Sequence, residues 1–264
     1  MPRLAANLSM LFKEVGFLER FAAARKAGFR AVEYQYPYDF APREVAAAAR
    51  EAGVQVVLHN VPCGDAERGE HGTACLPGRE ARFREDIEQA VAYARAVGCD
   101  SLHCLAGVAP AGAGRAELHR TYVANVKYGA QRLRGEGLRL LIEPVSERTA
   151  ANYFLNSSAQ AVRVLDEVAA DNAFLQYDAF HMQLLEGNLA LTIERLLPRI
   201  GHMQIADAPG RNEPGSGEIN FDFLLGHIDS LGYAGWIGCE YNPQGDTVEG
   251  LKWAKSYLNP GSAK

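Results

Sequence analysis

Eight short β-rich runs, each followed by an amphipathic or polar connecting segment, set the strongest limit on how this chain can fold. The runs are Leu4–Leu8, Ala31–Tyr36, Val54–His59, Ser101–Leu105, Leu138–Glu143, Phe174–Asp178, His202–Ala206 and Gly235–Glu240. Helical patterns lie between them, as in Phe17–Ala27, Pro42–Ala52 and Ala81–Val97. Gly28, Gly53 and Gly98 mark their ends a few residues before the next strand. Strands that alternate with helices pair in parallel through crossovers, and eight such units close a barrel. The expected fold is α/β, a single (β/α)8 TIM barrel spanning 1–264. At 264 residues the chain has the length one such barrel needs. An open doubly wound sheet is the rival, but no glycine-rich phosphate loop follows the first strand.

Two connections exceed the usual few residues, 61–78 after the third strand and 207–220 after the seventh. Both leave C-terminal strand ends, the face on which barrel enzymes carry their chemistry, so lids or substrate contacts are expected there.

The strand ends are chemically uniform. Asn7, Glu33, His59, His103, Glu143, Asp178, Gln204 and Glu240 each close an otherwise apolar run. A single buried polar residue is most often a satisfied core group, but eight at equivalent places call for a common cause. Glu143, Asp178, Gln204 and Glu240 follow one another at intervals of 35, 26 and 36 residues, about one strand–helix unit each. Three buried carboxylates facing one another repel and are costly to desolvate, and a divalent cation removes both penalties. Their oxygen donors, with the Gln204 carbonyl, suit Mg²⁺ or Mn²⁺ over zinc. Four protein ligands leave an octahedral ion two positions, enough for a substrate with two adjacent oxygens.

Further candidates flank this set. His59 ends the third strand, and His181, three residues after Asp178, can hydrogen-bond a substrate oxygen. Arg211 in the seventh loop can pair with a substrate carboxylate, and Arg68 in the third loop is a second candidate for that task. Trp236, Phe12 and Tyr34 are candidate pocket walls, although core packing is the commoner use of aromatics.

Composition narrows the classes. A net charge of −5 without a basic run argues against nucleic-acid binding. No stretch approaches the roughly 20 apolar residues of a membrane span. Five cysteines without a C-x-x-C pair, and no secretory pattern at the N-terminus, fit a reduced cytoplasmic protein.

The residues reached so far resemble the hydroxypyruvate isomerase family of xylose-isomerase-like barrels, over nearly the whole chain. The likeness is carried by AANLSMLF (from Ala5), LHNVPCGD (from Leu58), LPGRE (from Leu76) and LLIEP (from Leu140). It continues in QYDAFHMQ (from Gln176), GHMQIADAPGRNEPGSGEINF (from Gly201) and GWIGCEYNP (from Gly235). The resemblance implies a metal-dependent aldose–ketose-type isomerase acting on a small hydroxy-keto acid. It also implies Glu143 and Glu240 as the acid/base pair, with metal ligation by Glu143, Asp178, Gln204 and Glu240. Within the family, the N-terminal MPRLAANLSM and the NYFLNSS and DNAFLQ segments look like the 2-oxo-tetronate isomerases. The 58–80 loop and QYDAFHMQ look like the hydroxypyruvate isomerases. A ketose 3-epimerase, a metal-dependent endonuclease and a non-catalytic sugar-acid binder stay as alternatives. By analogy with other barrel isomerases, a homo-oligomer is expected.

Overall fold

The computed structural model of the chain describes residues 1–65 and 69–258. Its strands are β1 (Arg3–Asn7), β2 (Ala31–Tyr34), β3 (Gln55–Asn60), β4 (Ser101–His103), β5 (Arg139–Ile142), β6 (Ala173–Asp178), β7 (Ile200–Ile205) and β8 (Trp236–Cys239). Each pairs in parallel with the next, and β8 returns to β1 with Leu4 opposite Ile237 and Ala5 opposite Gly238. The sheet is therefore the closed barrel that the alternation requires. Helices α1 (Arg20–Lys26), α2 (Pro42–Ala52), α3 (Glu80–Val97), α4 (Arg115–Arg134), α5 (Ser158–Val168), α6 (Ala179–Leu185), α7 (Leu189–Leu196) and α8 (Phe221–Ser230) join the strands.

Local chemistry sets the helix ends. In α2 the Glu44 carboxylate accepts from the Ala41 backbone N–H at 2.8 Å, and Pro42 opens the helix where its missing N–H costs nothing. Val45 and Ala49, one turn apart, are the residues α2 buries, and Gly53 ends it at φ 67°. In α5 the Ser157 hydroxyl accepts from the Gln160 N–H and caps the first turn.

Alternation along the strands sorts side chains into two cores. Leu4, Ala6, Val32, Tyr34, Leu102, Leu140, Ile142, Leu175, Met203 and Ile237 face outward into the main apolar core. Ala5, Ala31 and Val57 form a separate small cluster inside the barrel, packed on Trp236. This parity corrects the expected aromatic walls. Tyr34, next to inward-facing Glu33, points outward and packs edge-on against Phe17 and Phe21. Phe12 is buried against Phe29. Trp236 opens β8 at the N-terminal end of the barrel, where the Arg3 guanidinium stacks on it at 3.8 Å.

Two register shifts alter the parity locally. Val32 lies opposite Val56, but Glu33 lies opposite Leu58, so β3 carries one extra residue. An extra residue exchanges the two faces for everything beyond it. The second shift falls between β6 and β7, where Leu175 faces Ile200 and Gln176 faces His202.

The 207–220 loop is held from within. Asp207 is buried, and its two oxygens accept backbone N–H groups from Ala208 (2.9 Å), Ile219 (3.0 Å), Gly215 (2.9 Å) and Gly217 (2.8 Å). All five cysteines are free and buried. Among the described residues, no helix is long and apolar enough to cross a membrane.

Candidate active site

A cavity of about 300 Å³ opens at the C-terminal rim, bounded by Glu143, Glu240, His181, Arg211, His103 and Asn60. Glu143 and Glu240 directly follow β5 and β8, and Asp178 is the last residue of β6. All three carboxylates are buried. Gln204 lies opposite Asp178 in the β6–β7 ladder.

Glu143 and Asp178 are incompletely satisfied. Asp178 Oδ1 caps α6 by accepting from the Phe180 N–H at 2.9 Å, whereas Oδ2 has no hydrogen-bond partner among the described residues. Glu143 Oε1 likewise has none, and its Oε2 lies 3.5 Å from His103 Nε2. Burial, then repulsion from Asp178 and Glu240, holds the Glu143 carboxyl well above the usual range. Burial also pushes Asp178 up to about 7, with Arg211 opposing and Glu240 adding to the shift. Buried carboxylates that share a space and turn unpartnered oxygens into it match the donor set of a hard divalent ion.

His181 completes a group able to hold a metal: one ligand atom each from Glu143, Asp178 and His181 lies within 4.8 Å of the others. Its other ring nitrogen decides how it acts. The Ser146 backbone N–H points at Nδ1 at 3.4 Å, and an N–H can only donate. The ring proton in that arrangement sits on Nε2, 3.6 Å from Asp178 Oδ2, making His181 a donor to oxygen. Burial, followed by the nearby positive charge of Arg211, keeps the imidazole well below its ordinary pKa and neutral.

Glu240 is bound more tightly. Oε2 accepts from Arg211 at 2.6 Å, and Oε1 accepts from Gln35 Nε2 at 3.0 Å and Asn7 Nδ2 at 3.2 Å. Arg211 sits 3.7 Å from Asp178 Oδ2 with its guanidinium over the Phe180 ring, so it bridges two site carboxylates. Its backbone is fixed from both sides: its N–H donates to Asp207 O, and its carbonyl accepts from the Asn242 N–H. Gln204 donates through Nε2 to Glu33 Oε1 at 2.7 Å and accepts from Gln176 at 2.6 Å.

One expected substrate contact falls elsewhere. The extra residue in β3 places His59 outside the cavity, fully buried and stacked on Tyr34 with ring centroids 6.0 Å apart, while Asn60 faces inward. Arg68 lies outside the described residues. Conversely, Asn60 and Gln35, which do line the cavity, lie one residue beyond His59 and two beyond Glu33 and are not among the expected strand-end residues. His103 does line the cavity. Its Nδ1 meets Asn60 Oδ1 at 3.2 Å, and burial lowers its pKa to about 3, leaving it neutral.

Fold and site together define a (β/α)8 barrel that carries a cavity lined by buried carboxylates at its C-terminal rim. A family model described as xylose isomerase-like TIM barrel matches residues 21–257, and the chain belongs to that family. It is 44% identical to a 2-oxo-tetronate isomerase of Haemophilus influenzae, over 97% of this chain and 100% of that one. It is 45% identical to a hydroxypyruvate isomerase of Escherichia coli, with the same coverage of both chains. A crystal structure described as an AP endonuclease, family 2, from Brucella melitensis superposes with a TM-score of 0.95 at 41% identity, covering 97% of this chain and 99% of that chain. A D-psicose 3-epimerase superposes with a TM-score of 0.79 at 15% identity, covering 98% and 99%, which shows a shared fold alone. The chain is an isomerase enzyme of the kind its isomerase relatives represent.

Proposed function

We propose that this isomerase interconverts a small hydroxy-keto acid and its aldehyde isomer, hydroxypyruvate with tartronate semialdehyde, using a divalent metal. The observation that carries the reading is the pair of unpartnered oxygens, Glu143 Oε1 and Asp178 Oδ2, on buried carboxylates that each bring a ligand atom within 4.8 Å of the other. Glu143, Asp178, Gln204 and Glu240 are the residues assigned to hold the ion. A bound Mg²⁺ or Mn²⁺ supplies Lewis-acid polarisation of two adjacent substrate oxygens and neutralises developing negative charge.

The protein's own groups then move one proton. One of Glu143 and Glu240 removes the proton on the hydroxyl-bearing carbon next to the carbonyl, leaving an enediolate. The other returns a proton to the former carbonyl carbon, and the hydroxyl proton crosses to the other oxygen, so atoms balance without a redox partner. His181 donates its Nε2–H to a substrate oxygen during that crossing. Arg211 keeps Glu240 in place, and its unpartnered buried Nε–H is left for the substrate carboxylate.

The E. coli and H. influenzae relatives are almost equally similar, so 2-oxo-tetronate is the second substrate to offer. The test is an isomerase assay with both acids after EDTA treatment, followed by Mg²⁺ or Mn²⁺ addition. We expect turnover of one acid, its loss on chelation and its return with metal. Turnover of neither acid, or turnover indifferent to chelation, would overturn the reading.

A further inference from the structure

Glu33 does not line the cavity, yet it accepts from three side-chain donors, as many as Glu240 does. It is 1% exposed and accepts from Gln204 Nε2 at 2.7 Å, Asn7 Nδ2 at 2.9 Å and His202 Nε2 at 2.6 Å. A carboxylate accepting these bonds has no proton to give, so each nitrogen facing it must donate. That requirement fixes two amides. The Gln204 NH₂ is committed to Glu33, so its oxygen donor is the carbonyl at the level of Asp178, which accepts from Gln176 at 2.6 Å through one lone pair and keeps a second. Asn7 is fixed twice over. Its Oδ1 accepts from the Ser9 N–H at 3.1 Å, and its Nδ2 spans Glu33 Oε1 and Glu240 Oε1.

The opposite strand is shaped for this carboxylate. A Cβ at Gly238 would fall 2.2 Å from Glu33 Oε2 and 2.3 Å from Oε1. Gly238 lies between Trp236 and Glu240 on the inward face of β8, so the space a side chain would fill there holds the Glu33 head group instead.

We infer that Glu33 is a positioning residue: it orients the Gln204 carbonyl toward the metal and, through Asn7, holds Glu240 in register. The inference rests on the metal reading above. Groups that orient a ligand without touching the ion typically change metal affinity 10- to 100-fold when altered.

Two conservative variants separate reach from charge. Glu33→Asp keeps the charge but withdraws the acceptor by one methylene. Glu33→Gln removes the charge but keeps a carbonyl oxygen where both amides need it. EDTA-stripped full-length wild type and both variants are titrated with Mn²⁺ by calorimetry, after circular-dichroism melts confirm folding. We expect Glu33→Asp to bind Mn²⁺ about ten-fold or more weakly, and Glu33→Gln to stay within about three-fold of wild type. Unchanged affinity in Glu33→Asp would overturn the role. So would a ten-fold loss in Glu33→Gln, which would mean that charge acts rather than orientation. If the Asp variant does not fold, Glu33→Ala takes its place, with the same expected loss and the same overturning result. Absence of Mn²⁺ binding by wild type would instead remove the metal reading, a result distinct from either.

Discussion

Glu33 and Glu143 are both carboxylates buried inside the same barrel, on strands three apart, and their surroundings differ in kind. Glu33 is met by three nitrogen donors and a glycine cradle. Glu143 has an oxygen with no partner and a second carboxylate, Asp178, across the cavity. Leaving a buried charge unpaired costs several kcal/mol, so a fold keeps such a group only where something else completes it. On the proposed function, the satisfied carboxylate serves the scaffold and the unsatisfied one serves the chemistry. Glu240 stands between them, hydrogen-bonded through both oxygens to an arginine and to two amides.

The largest effect that tests this contrast is the loss of a proton-transfer group. Glu143→Gln and Glu240→Gln should each lower kcat by about 10³-fold or more while melting like wild type. Wild-type turnover in either would remove the assignment, and a loss as large in Glu33→Gln would erase the difference between the two layers.

Arg211→Ala comes next. Because Arg211 grips Glu240 at 2.6 Å, its removal should lower kcat as well as raise KM, the kcat loss being about ten- to hundred-fold. A change confined to KM would show that the arginine only binds substrate and leaves Glu240 where it was.

A smaller effect should appear in pH-dependent stability. The folded chain binds a proton on Asp178 more tightly than the unfolded chain does, with a pKa of about 7 against roughly 3.9 for a free aspartate. The protonated group therefore contributes stability below about pH 4, and that contribution is lost as pH rises toward 7. In EDTA, Asp178→Asn should gain melting temperature relative to wild type across this window, and saturating Mn²⁺ should reverse the difference. A constant difference from pH 4 to 7 would mean that Asp178 is not held in its acid form.

The smallest effect concerns the face exchange in β3. His59→Phe should leave kcat/KM within about three-fold, since the ring packs on Tyr34 outside the cavity. Asn60→Ala, one residue on, should raise KM measurably. The opposite pattern would restore His59 as the substrate contact.

Much of the fold was legible in the chain. Strand runs and glycine stops carry the barrel because local periodicity and helix termination are near-neighbour properties. The strand bounds agree within two residues. The site was legible in part. Glu143, Asp178, Gln204 and Glu240 stand out because a polar residue ending an apolar run is a local anomaly. Parity beyond a register shift is not local: the extra residue shows only against the partner strand, so His59 and Asn60 were exchanged. For the same reason the aromatic walls were misplaced, since Tyr34 is one residue from Glu33 yet on the other face.

The sequence alone determined eight strand–helix units, their order and the row of polar residues at their ends, because each depends on residues close together in the chain. Tertiary structure decided which of those residues face one another. Closing the barrel set Gly238 against Glu33, Asn7 between Glu33 and Glu240, and Arg211 against a glutamate 29 positions away. Hydrogen-bond satisfaction is a property of such distant pairs. Whether a buried carboxylate is a fixed part of the scaffold or an unpartnered group ready to react therefore emerges only in three dimensions.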